Sequence, residues 1–161
     1  MRGALLVFNI AAALVVGGAA AEPAKYPREV QSVLDAARAE CRGAGEGETK
    51  GDIRLGRRIV RKLDLTGDGR ADYIVSFEDT TCTEFESYFC GTGGCELTIL
   101  VAKRDGTLVN VYSGRVQKYD MLPGQKIRFW MHGSYCGKAG AYACAKTRKI
   151  TETPFKIEQP E

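Results

Sequence analysis

Apolar positions along this chain change their period twice. Ala4 to Val16 is a continuous apolar run broken only by Asn9, and it closes on Gly17-Gly18-Ala19-Ala20-Ala21. Met1-Arg2 supplies a positive start, and Ala19 and Ala21 fit a small-residue cleavage site before Glu22. The run falls short of the ~20 residues that span a bilayer. The pattern predicts a removable export signal over 1–21, with no lipid-anchor cysteine at its end and no twin-arginine pair. A single domain then occupies 22–161, long enough to bury a core. From Pro27, a residue suited to a first helical turn, Val30, Val33, Leu34, Ala37 and Cys41 recur at helical spacing. A helix over about 27–41 is predicted, with one apolar stripe to pack on a core. Glycines at 43, 45 and 47 end it.

Beyond this loop the period becomes two. Segments 59–65, 71–78, 96–103, 108–112, 126–132 and 143–151 read as strands, with 155–157 as a short last candidate. Residues 114–120 continue or bulge the strand before them. Asp105-Gly106 and Pro123-Gly124 mark tight turns. In Lys126–His132, Ile127, Phe129 and Met131 share one face while Lys126, Arg128 and Trp130 share the other. Turns follow one another too closely for intervening helices, and no repeat of 20–50 residues occurs. The expected class is α+β: the N-terminal helix packed on a mostly antiparallel β-meander sheet, stapled by disulfides.

The staples are Cys41, Cys82, Cys90, Cys95, Cys136 and Cys144, all beyond the export signal. An even set in an exported chain reads as a disulfide framework made in an oxidising compartment, a bacterial periplasm or the exterior. Spacing favours Cys90–Cys95, Cys136–Cys144 and Cys41–Cys82, while Cys82–Cys90 with Cys41–Cys95 stays open. Other cysteine chemistry fits poorly. Cys90-x4-Cys95 has Thr98 where an iron–sulfur motif needs its third cysteine. Zinc spacing and the redox C-x-x-C are missing, and the chain has one histidine.

The full chain carries a net charge of +3, and the leader holds one basic residue and no acidic one. That balance argues against obligate nucleic-acid binding and permits an acidic partner. The expected partner is a protein or another envelope component, with no membrane span after processing.

Asp64-Leu65-Thr66-Gly67-Asp68-Gly69-Arg70-Ala71-Asp72 is the sharpest local motif. Oxygen groups recur at alternate positions: Asp64, Thr66, Asp68, the Arg70 carbonyl and Asp72. Calcium takes 6–8 oxygen ligands, and one loop here offers several. The motif, followed by Tyr73-Ile74-Val75, resembles the strand–loop–strand calcium loops of FG-GAP and VCBS repeats. The resemblance implies a Ca²⁺ loop. Its departures, Thr66 where Asp or Asn is usual and no distal bidentate Glu, leave few charged ligands, so weak, structural binding at about 10⁻⁴ to 10⁻³ M is expected. The bland alternative is a Gly-rich turn whose aspartates accept backbone N–H groups. The wider arrangement of export signal, this loop, Phe89-Cys-Gly-Thr-Gly-Gly-Cys95 and Trp130-Met-His-Gly-Ser-Tyr-Cys-Gly137 resembles small exported alphaproteobacterial proteins. It implies a compartment and a fold type only.

Candidate chemistry is thin. His132-Gly133-Ser134 lacks a nucleophile elbow, and Glu84 and Glu86 form a carboxylate pair in a cysteine-bounded loop. Phe85, Tyr88 and Phe89 in that loop suit partner recognition, because bracing lowers the ordering cost of binding. Their alternative role is to cap the core edge. The expectation is a non-enzymatic periplasmic binding module, in one version an inhibitor or immunity-type protein. A periplasmic hydrolase using Glu84, Glu86 or His132 and a calcium-dependent structural protein are the alternatives.

Overall fold

The computed structural model describes residues 25–44, 51–83, 85–140 and 142–157. The export signal expected over 1–21 lies outside them. The elements are α1 (Arg28–Gly43), β1 (Ile53–Arg54), β2 (Val60–Leu63), β3 (Asp72–Ser76), β4 (Thr81–Cys82), β5 (Cys90–Gly91), β6 (Gly94–Ala102), β7 (Leu108–Val116), β8 (Lys118–Leu122), β9 (Lys126–Met131) and β10 (Cys144–Lys149), with a 3-10 turn at Gly133–Cys136.

The centre is an antiparallel sheet in which β3 lies between β2 and β6, and β6 also pairs with β7 and with the short β5. Both faces of its middle strands are covered, which explains their near-continuous apolar sequence. On one face Tyr73, Val75, Phe77 and Leu100 meet the α1 stripe of Val30, Leu34, Ala37 and Cys41. On the other, Ile74, Leu97, Ile99 and Val101 meet Ile127, Phe129 and Met131. Those last three come from a separate three-stranded sheet in the order β8–β9–β10. The expected alternation in β9 holds, since Ile127, Phe129 and Met131 are all fully buried.

The fold is therefore mostly β rather than α+β. Strand accounts for 41% and helix for 16% of the described residues, in several antiparallel sheets. The reason is physical. The helix covers one apolar face of β3 and β6, and a single meander would leave the opposite face in water. Instead the chain changes sheet after β7. The Gln117 N–H donates to the Trp130 carbonyl at 2.8 Å, and β8 folds back over the open face. The final candidate strand at 155–157 does not form. Phe155 makes one backbone bond to Val111 at 2.9 Å and stacks on Tyr112 with ring centroids 5.3 Å apart.

Candidate functional site

The structure joins Cys41 to Cys82, Cys90 to Cys95 and Cys136 to Cys144. The first bridge ties the end of α1 to the β1–β4 ribbon, and both of its cysteines are fully buried. The second spans directly opposed positions of β5 and β6. The turn between them needs glycine: Gly94 sits at φ 104°, and a Cβ there would lie 2.1 Å from the Val116 carbonyl carbon.

Asp64, Thr66, Asp68, Arg70 and Asp72 do share one loop, but its three carboxylates are engaged within the chain itself. Asp64 accepts the N–H groups of Gly67 at 2.7 Å and Asp68 at 3.2 Å through one oxygen, and that of Gly69 at 2.8 Å through the other. These donors, Gly69 foremost, hold its carboxyl below the usual carboxylate range. Asp68 accepts the Arg70 N–H at 2.8 Å and pairs with the Arg70 guanidinium at 2.5 Å. That guanidinium also reaches Glu152 at 3.1 Å and the Ala102 carbonyl at 3.2 Å. Asp72 is wholly buried. It accepts the N–H of Leu65 at 2.7 Å, of Thr66 at 3.1 Å and of Ala102 at 2.8 Å.

Among the described residues, no group of three or more His, Cys, Asp or Glu side chains is gathered to hold a metal ion. As arranged, the Asp64 and Asp72 carboxylates accept backbone N–H groups, and Asp68 is paired with Arg70. Ca²⁺ titration of the oxidised protein is expected to give no saturable heat up to millimolar concentration. A saturable signal that disappears in Asp68→Ala would restore the calcium loop.

The three aromatic residues of the cysteine-bounded loop part company. Phe89 is not available for contact: it is fully buried and stacks on Phe77, centroids 5.0 Å apart. Its position before β5 points it inward among the residues under α1. Tyr88 is half-buried, edge-on to Phe89 at 5.1 Å, and its carbonyl accepts from Arg115 at 2.9 Å. Phe85 remains 43% exposed, a large apolar ring in water. Its N–H donates to the Cys82 carbonyl at 3.0 Å, so the bridged cysteine sets its place.

The catalytic alternatives gain little. Glu84 lies outside the described residues, and Glu86 is exposed. His132 Nδ1 and Ser134 Oγ are 2.8 Å apart, a contact between near neighbours at a strand end. A working pair needs an acid at the second ring nitrogen. Here that nitrogen packs on Gly140, where a Cβ would stand 2.2 Å away.

Sequence reasoning passed over two features. Trp130 donates its indole N–H to Asp120 at 2.5 Å on the outer face of the β8–β10 sheet. This bond, helped by Lys118, holds the Asp120 carboxyl below its usual range. The second is a basic stretch at Arg54, Arg57, Arg58, Arg61 and Lys62. Its signal was charge density within one short segment, hidden by an overall charge close to balance. No family model, no curated protein and no solved structure matches this chain.

Proposed function

We propose that this protein is a non-enzymatic binding module of the periplasm, meeting a protein partner through its disulfide-braced 82–95 loop. One observation carries the reading. Phe85 is presented to solvent by a segment whose ends are covalently fixed and whose next aromatic, Phe89, is locked in the core. A rigid exposed ring loses little conformational freedom on binding, which makes it a strong anchor. The three bridges fit an oxidising compartment. No helix among the described residues is long and apolar enough to cross a membrane. An inhibitor of a wall-degrading enzyme is the specific form this reading favours, since such a role suits a small domain with a disulfide-braced loop.

The test uses the oxidised protein immobilised against envelope extract, followed by calorimetry with the purified partner. A stoichiometric complex is expected, weakened roughly tenfold or more by Phe85→Ala, as for a central anchor. Lack of any partner at micromolar concentration, or full affinity in the variant, would sink the reading.

A further inference from the structure

The β1–β4 ribbon places Arg54 opposite Thr81 and Ile53 opposite Cys82. Beyond β1 the chain turns through Arg57 and Arg58. A groove of about 570 Å³ opens here, lined by Arg54, Arg57, Arg58, Gly56, Asp79 and Thr81 among others. All three arginines are exposed, and among the described residues none lies within ion-pair distance of a carboxylate. Among the described lining residues, three guanidiniums thus share one concavity with one acid, Asp79. Like charges so placed repel one another in the free protein, and an anionic ligand relieves that repulsion.

We propose that this groove is the docking site for a carboxylate-rich segment of the protein partner; the inference rests on the binding-module reading above and names the partner's chemistry. The guanidinium fork matches a carboxylate by two parallel hydrogen bonds. The groove has the capacity of a ligand pocket, far beyond one small oxyanion, so an extended segment with successive acidic side chains fills it. Phe85 stands at the other end of the same ribbon, bridged to Cys82. Arginine and aromatic residues are both enriched at interface cores. The Cys41–Cys82 bridge anchors that ribbon to α1, so both contacts are held in a fixed relation.

The experiment measures fluorescence anisotropy of a labelled glutamate-rich peptide of about ten residues with the oxidised protein, at low and at physiological salt. Saturable, salt-sensitive binding is expected. Arg57→Glu/Arg58→Glu should weaken it about tenfold or more. Lys126→Glu/Lys149→Glu makes the same change of net charge on the β8–β10 sheet and should shift it less than about twofold. Equal losses in the two double variants, or no saturable binding by the wild type, would overturn the proposal. So would preferential binding of inorganic phosphate, or of phosphatidylglycerol vesicles, that is lost with the same arginines. Phe85→Ala should leave most peptide binding intact while weakening the partner complex, so the groove and the binding-module reading can fail separately.

Discussion

Asp72→Ala is expected to destabilise the folded domain by about 4 kcal/mol. A buried carboxylate that answers several backbone donors contributes through each charge-assisted bond, and the donors left behind cost about 1–3 kcal/mol apiece. Here Leu65, Thr66 and Ala102 lose their acceptor together. Their positions matter as much as their number. Leu65 is a buried member of the core between the two sheets, and Ala102 ends β6. One carboxylate therefore holds the 64–72 turn against the last residue of the longest central strand. Asp72→Asn separates geometry from charge: it keeps one oxygen but turns an amide N–H₂ toward a donor, and should lose about half as much. Urea unfolding of the three proteins measures both. A loss below about 1 kcal/mol for the alanine variant would show that water or a shifted loop replaces the acceptor.

The second large effect is expected on removing the bridge between α1 and the ribbon. Cys41→Ala/Cys82→Ala releases a loop of 41 residues' separation. Loop-closure entropy assigns such a cross-link about 4 kcal/mol, against about 2 kcal/mol for the tight Cys90–Cys95 loop. The surroundings add to this, because both sulfurs are fully buried and Gly51 closes over them, where a Cβ would stand 2.9 Å from the Cys82 sulfur. The two double variants, compared by denaturant titration with the remaining bridges intact, should rank in that order. Equal destabilisation would mean that the unfolded chain is already compact between 41 and 82, so the cross-link removes little freedom from it.

Elements with a sustained period were readable from the chain. The α1 stripe, the β9 alternation and the strands at β2, β3, β6 and β10 follow from spacing within each segment. The class was not readable, because nothing in a strand says which partner covers its second face. Ile74 and Val75 are both fully buried, one under the β8–β10 sheet and one under the helix. A run such as Tyr73-Ile74-Val75 announces burial on both sides without naming the layers. Site residues divide in the same way. The glycines at 67 and 69 marked a tight curl, and both adopt positive φ. Whether Asp64 meets a cation or the Gly69 N–H depends on angles that spacing does not encode. Phe85 and Phe89 look alike in sequence and end in water and in the core. The difference is set by the β5–β6 pairing, a contact between segments. The arginine groove exists only because β1 and β4, each of two residues, align across the sequence.

All three covalent bridges join cysteines that are consecutive along the chain: first with second, third with fourth, fifth with sixth. A chain oxidised from its N-terminus as it emerges meets each correct sulfur before any wrong one appears. The native set can then be reached by oxidation alone, without the shuffling through mixed disulfides that interlaced pairings demand.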